Sequence, residues 1–218
     1  MATDTTIRKP HPFQEDAHER ANAITHGVGF VLSAAATVAV ISAARNAGGW
    51  VMAAAAAYGA TLLAVYAFST LSHAVRGERA RNRLRAWDQG AIYFLIVGTY
   101  TPFIPVFLPP TLAGCLAAAM WIAAALGFYS KVVVNHRVNA LATWSYLLLG
   151  WLPALAFIGR VPLEVFAWMA AGGVSYTLGV AFLKMDHRFA YCHAIWHVFV
   201  ILASAIHFYC IYAIVLPA

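Results

Sequence analysis

The stretch Ser69-Thr70-Leu71-Ser72-His73-Ala74-Val75-Arg76-Gly77-Glu78-Arg79-Ala80-Arg81-Asn82-Arg83-Leu84-Arg85-Ala86-Trp87-Asp88 sets five arginines between two apolar runs, 50–75 and 88–107. Each run is long enough to cross a hydrocarbon layer ~30 Å thick, which takes ~20 helical residues at a rise of 1.5 Å. The arginines then read as a loop at a membrane surface, because basic residues resist translocation. Outward from this stretch, charged or Pro/Gly-rich breaks separate five more apolar runs: 23–44, 110–130, 139–159, 162–183 and 191–215. The predicted fold is all-α, a polytopic bundle of seven transmembrane helices. Residues 1–22 are expected to be an N-terminal segment and 23–218 one seven-helix domain, with short connections and no repeat of fixed period.

Composition excludes a water-soluble domain. Of the 218 residues, 62% are hydrophobic and 10% charged, against ~45–50% and ~25% in a soluble globular domain; mean hydropathy is +0.72. The net charge of +6 would suit nucleic acid in a soluble protein, but here Lys and Arg set orientation, and no nucleic-acid partner is expected. Of the 14 Lys and Arg residues, all but Arg45 and Arg160 fall on one side of a seven-helix path. They are Arg8, Lys9 and Arg20 before the first helix, Arg76 to Arg85 after the second, Lys131 and Arg137 after the fourth, and Lys184 and Arg188 after the sixth. That side is expected to be cytoplasmic together with the N-terminus, leaving the C-terminus outside. An even helix count would scramble this asymmetry.

The first twenty residues carry Asp4, Glu15, Asp16 and Glu19 and lack the apolar run and cleavage site of a signal peptide. Cys115, Cys192 and Cys210 have neither paired-metal spacing nor a secreted-framework pattern, so no disulfide is expected. In the third helix, Gly98, Thr99, Thr101, Pro102 and Pro105 predict a kink or an early end, because proline removes a donor and clashes with the preceding turn. None of these features encodes an oligomeric state.

Ionisable groups cost ~2.5–3.5 kcal/mol each at the centre of a membrane helix on insertion scales, so those present are functional candidates. They are few: His26, Ser69 with His73, Asp88, and His193, His197 and His207. His73 lies three residues before Arg76 and Asp88 three after Arg85, each ~5 Å from the basic boundary at 1.5 Å per residue. His193 and His197 follow Arg188 by five and nine residues, which places all four in one layer. His193 and His197, at i and i+4, share a helix face, as do Ser69 and His73. Three histidines beside a carboxylate make a catalytic-type zinc site, with three protein ligands and an open position for water.

Glu19, Asn22 and His26 form one stripe at the entry to the first helix. This stripe reads either as helix-start charge with interhelical hydrogen bonds or as an outer shell that positions the metal-bearing helices. His207 lies deeper and is read as a packed histidine; His11, His18, His136 and His187 are assigned to solvated loops or tails. No zincin, phosphate-loop or Gly-x-Ser-x-Gly motif is present.

At these residues the chain resembles the hemolysin III family of bacterial membrane proteins, which belongs with the progestin and adipoQ receptors. The matching pieces are Glu19-Arg-Ala-Asn22-Ala-Ile-Thr-His26-Gly27, Ser69-Thr-Leu-Ser-His73, the run from Asp88-Gln89 to Pro102-Phe103, and His193-Ala-Ile-Trp-His197. They stand in the family order. The resemblance implies a seven-helix fold with a cytoplasmic N-terminus in the bacterial inner membrane, and Zn2+ held by His73, His193 and His197. It also implies that Asp88 binds or orients the zinc water, with Ser69 beside it. The usual acidic-His pair opening the third helix is here Asp88-Gln89.

Related proteins include alkaline ceramidases, so the leading functional reading is a zinc-dependent hydrolase of a lipid amide or ester, with membrane lipids as its partners and membrane-lipid homeostasis as its setting. Two other readings stay open. A pore-forming cytolysin or channel would need polar stripes through the full bilayer depth, whereas the strong polar residues here concentrate in one layer. A lipid-responsive receptor or sensor would use the same zinc structurally, to pin the second and seventh helices.

Overall fold

The computed structural model describes residues 12–134 and 140–217; Arg8, Lys9, His11, His136 and Arg137 lie outside the described residues. Among the described residues all regular structure is helical. The helices are α1 (Pro12–Ala43), α2 (Gly49–Ala74), α3 (Glu78–Tyr100), the short α4 (Phe103–Phe107), α5 (Pro110–Tyr129), α6 (Ala140–Trp151), α7 (Leu163–Met185) and α8 (Cys192–Cys210). Six helical segments are long and apolar enough to cross a membrane, and Thr143–Phe157 is a shorter apolar seventh. The chain is an all-helical protein with multiple candidate membrane spans.

The shorter seventh segment still has the reach of a span. The 12 residues of α6 run on into six of 3-10 helix, Leu152–Phe157. At ~1.5 and ~2.0 Å per residue the two together extend about 30 Å, the thickness of the hydrocarbon. Pro153, which has no N–H to donate, sits at the start of the tighter coil. Hydrogen bonds hold this helix in place. Tyr146 donates to the Gln89 carbonyl at 2.9 Å, Tyr93 pairs with Ser145 at 2.7 Å, Tyr100 donates to the Gly150 carbonyl, and the Trp151 indole donates to Thr177 at 3.0 Å. Where lipid removes the hydrophobic incentive for helices to associate, such bonds and close packing do the joining.

The break expected in the third helix is present. α3 ends at Tyr100, Thr101 and Pro102 make the turn, and α4 resumes at Phe103. A larger difference is at the other end of the chain, where α1 starts at Pro12 rather than near residue 23. Its 32 residues extend about 48 Å, so the first turns stand beyond the apolar slab. Nothing in the hydropathy of residues 12–22 demands this; helical geometry there satisfies the backbone while placing Glu19, Asn22 and Thr25 against α2, α3 and α8.

α1 packs on α2, α2 on α3, α7 on α8, and α8 closes back onto α1. α3 is the most enclosed span and α5 the most lipid-facing. Gly172 on α7 faces the ring of His207 on α8, which is buried and donates Nδ1–H to the Ala203 carbonyl at 3.0 Å. A Cβ at this position would collide with the ring, and the ring's own hydrogen bond keeps it from moving aside. Gly172→Ala is therefore expected to destabilise by ~1–3 kcal/mol, the usual cost of overpacking. A lowered thermal midpoint in detergent, with the helical spectrum unchanged below the transition, checks it.

Candidate metal centre

The centre forms at the end of the bundle where the first turns of α1, the last turn of α2 and the first turns of α3 and α8 meet. α2 supplies Ser69, Ser72 and His73; α3 supplies Arg85, Asp88 and Gln89; α8 supplies His193 and His197. Helical periodicity puts each set on one face, and the α1–α2, α2–α3 and α1–α8 contacts turn those faces toward one another.

His73, His193 and His197 each offer one ring nitrogen, and the three atoms lie within 4.8 Å of one another. Their ring centroids are 4.6 to 5.2 Å apart. Each Nδ1 already has a partner. His73 Nδ1 donates to Glu19 Oε2 at 2.7 Å, and His193 Nδ1 donates to Asp186 Oδ2 at 2.8 Å. A carboxylate can only accept, so in both rings the proton sits on Nδ1 and the lone pair on Nε2. His197 Nδ1 lies 3.1 Å from Thr25 Oγ1, whose own hydrogen is directed at the backbone carbonyls of Ala21 and Asn22. His197 therefore also donates through Nδ1. Three Nε2 lone pairs are left, and buried His73 Nε2 has no hydrogen-bond partner among the described residues.

These residues fit a metal ion. Neutral imidazoles with Nδ1–H held by a carboxylate or hydroxyl and Nε2 free are the form in which histidine binds metals. Zinc keeps tetrahedral nitrogens about 3.3 Å apart, given bonds of ~2.0–2.1 Å, so the three rings need only small rotations to reach that geometry. Among the described residues three side chains offer ligating atoms here, and a four-coordinate ion held by them would keep one position for another ligand.

Around this set lies a cavity of about 1250 Å³. Asp88, Ser69, Gln89, Asn22 and His26 line it beside the three histidines, and Val65, Ile92, Leu95 and Val200 give it an apolar wall. Ser72 Oγ donates to the Ser69 carbonyl at 2.9 Å and lies 3.4 Å from Asp88 Oδ2. Ser69 Oγ is fully buried and sits beside the Asp88 carboxyl. His26 stacks on His197 with ring centroids 3.5 Å apart and meets Tyr66 edge-on at 5.0 Å; both of its nitrogens are also unpartnered. Glu19 joins three helices, because its Oε1 accepts from the Arg85 guanidinium at 2.8 Å while Oε2 holds His73. Asp186, outside the spans, has its carboxyl held below the ordinary carboxylate range by the hydrogen bond from His193.

Glu19, Asn22, His26, Ser69, His73, Asp88, His193 and His197 thus stand around one cavity, and His207, read as a packed histidine, does not line it. His18, assigned above to a solvated segment, is instead on α1, where its ring meets Tyr191 edge-on at 4.6 Å. Tyr191 has φ of 61°, the left-handed conformation, and caps the start of α8. Sequence reasoning missed Asp186 and Thr25 altogether. Asp186 lies in the turn before α8, seven residues from His193, and only the backbone reversal returns it to that ring. Thr25 was detectable, since it is three residues from Asn22 on the same helical stripe.

The family model described as Haemolysin-III related matches residues 15–208. The chain belongs to the haemolysin-III-related family. It is 35% identical to Hemolysin-3 of Bacillus cereus over 203 residues, which cover 91% of this chain and 92% of that protein. Against the Hemolysin-3 homolog of Bacillus subtilis (strain 168) it is 36% identical over 197 residues, 88% and 92% of the two chains. It is also 31% identical over 160 residues to the human monocyte to macrophage differentiation factor, a progestin and adipoQ receptor relative, covering 71% and 67%. No solved structure matches the chain.

In this haemolysin-III-related chain the Glu19 carboxylate sets both the tautomer and the angle of the His73 ring. Glu19→Gln keeps the shape but removes the charge, and its amide can turn a donor toward Nδ1. Metal affinity is expected to fall ~10- to 100-fold, the usual loss when a partner of a metal-binding histidine is changed. Competition with a chelator of known affinity measures it.

Proposed function

We propose that this haemolysin-III-related protein is a zinc-dependent hydrolase that cleaves an amide or ester linkage of a membrane lipid, with His73, His193 and His197 as zinc ligands and Asp88 and Ser69 as catalytic groups. The observation that carries the reading is the convergence of three imidazoles, each with Nδ1 engaged, on a cavity that also holds a carboxylate and an apolar wall. A structural metal site has no need of a cavity of this size or of an unligated acid beside it.

Zinc, when bound there, supplies Lewis acidity toward water and toward a carbonyl oxygen. The remaining work belongs to the chain. Asp88, with the Ser72 hydroxyl 3.4 Å from its Oδ2, takes a proton from the attacking water and later returns it to the leaving amine or alcohol. The Ser69 hydroxyl, beside Asp88 on the cavity wall, donates to the substrate carbonyl oxygen. Val65, Ile92, Leu95 and Val200 hold the acyl chain, while Glu19, Asp186 and Thr25 keep the rings from turning. Asn22 and His26 complete the wall behind His197.

We place this end of the bundle, and the N-terminus, on the cytoplasmic side of the bacterial inner membrane. Arg20, Arg76 to Arg85, Lys184 and Arg188 flank it, whereas Arg45 and Arg160 are at the other end. The test is incubation of zinc-loaded protein with a panel of amide- and ester-linked lipids while free fatty acid is followed. Release is expected from wild type and not from the Asp88→Ala variant; equal release from both counts against hydrolysis. Dye leakage from liposomes that persists after chelation would favour the pore reading instead.

A further inference from the structure

A lipid hydrolase must read a head group as well as a linkage, and the inference here rests on the hydrolase reading while naming the class of head group. The cavity mouth is lined by His18, Arg85, Arg188, Phe189 and Tyr191, with the carboxylates of Glu19 and Asp186 beside them. Both carboxylates are committed to imidazoles, Glu19 to His73 and Asp186 to His193. The guanidiniums are not committed to the same degree. Arg85 engages Glu19 through one nitrogen at 2.8 Å and keeps 42% of its side chain exposed. Arg188 is exposed and forms no ion pair among the described residues.

Membrane orientation requires basic residues on this side but does not require any of them to line the cavity. Two do so, and their depth is informative. Arg85 precedes Asp88 by three residues on α3, about 4.5 Å along the axis. In a lipid whose phosphate is carried on the carbon next to the one that bears the scissile nitrogen or oxygen, four covalent bonds separate the phosphorus from that atom, about 5 Å. With the linkage at the Asp88 layer, a phosphate would stand near the level of Arg85, in a cavity that Arg188 also lines. Guanidinium is planar and presents paired N–H donors matched to phosphate oxygens, and such charge-assisted bonds are among the stronger ones available.

We propose that Arg85 and Arg188 form a phosphate-binding mouth, and that the lipid taken by this cavity carries a phosphate on the carbon next to the one bearing the linkage held at the three-histidine layer. A neutral lipid would leave Arg188 without an anionic partner and Arg85 with Glu19 alone.

The test measures equilibrium binding in maltoside detergent, free of phospholipid, on full-length zinc-loaded protein carrying Asp88→Asn so that no probe is consumed. The probes are a fluorophore-tagged six-carbon ceramide and its 1-phosphate. The 1-phosphate is expected to bind at least tenfold more tightly. Arg188→Gln, which leaves Glu19 and its ion pair untouched, is expected to reduce that preference to threefold or less with zinc content unchanged, and Arg188→Lys to give an intermediate value. Raising the salt concentration should narrow the preference.

Equal affinity for the two probes in the unsubstituted-arginine protein overturns the proposal, as does an undiminished preference in Arg188→Gln. Parallel loss of both probes in Arg188→Gln also overturns it, because that marks a structural effect. Inorganic phosphate is expected to displace the 1-phosphate only at concentrations a hundredfold or more above the lipid's; displacement at matching concentrations would make this a free-anion site and overturn the lipid assignment. Hydrolysis enters none of these readings. A lipid panel that releases no fatty acid would sink the hydrolase reading and leave the phosphate preference standing, and the reverse outcome is equally distinguishable.

Discussion

Alanine at His193 is expected to remove the metal, with zinc falling from near one equivalent per chain to background and hydrolysis falling with it. The cluster has three ligand atoms, and two imidazoles alone hold zinc far less tightly than three. His193 is the informative position because 27% of its side chain is exposed, more than at His73, and its side-chain hydrogen bond among the described residues goes to Asp186 outside the spans. His197 is fully buried and stacked against His26, and its removal would mix metal loss with a cavity. Elemental analysis after equilibrium dialysis, on protein with an unchanged helical spectrum and elution volume, decides the matter. Zinc retained at wild-type level would remove the basis for a three-histidine centre.

Asparagine at Asp88 is expected to separate binding from chemistry. The substitution is nearly isosteric, so the α2–α3 packing and the metal content should be kept. What disappears is the carboxylate oxygen that takes a proton from water. Loss of a general base typically costs ~10²- to 10⁴-fold, and the loss should fall on kcat with KM little changed. Single-turnover release of fatty acid by matched zinc-loaded proteins measures it. An Asp88→Asn enzyme as fast as wild type would show that the proton goes elsewhere, and one that has lost its zinc would make Asp88 a ligand rather than a base.

Much of this centre was legible before any coordinates. The i, i+4 spacing of His193 and His197 is a property of the helix alone, and a basic loop beside an apolar run gives each polar residue a depth. Those two rules place His73, Asp88, His193 and His197 in one layer without knowledge of which helices touch. Elsewhere the same rules were silent. Hydropathy cannot say that α1 begins at Pro12, because residues 12–22 are helical for their contacts and not for their apolarity. It cannot distinguish the 3-10 coil of Leu152–Phe157 from ordinary helix either, since rise per residue depends on hydrogen-bond pattern.

Sequence by itself determined the solvent this protein lives in, the number of apolar helical segments, and which side chains share a face, because hydrophobic run length and helical period are local quantities. Only tertiary structure decided which Nδ1 atoms meet Glu19, Asp186 and Thr25, and hence which nitrogens are left to bind a metal. Those bonds join residues of α1 and of the turn before α8 to rings on α2 and α8. Their partners are selected by a few tenths of an ångström in how helices cross, and no spacing along the chain carries that information.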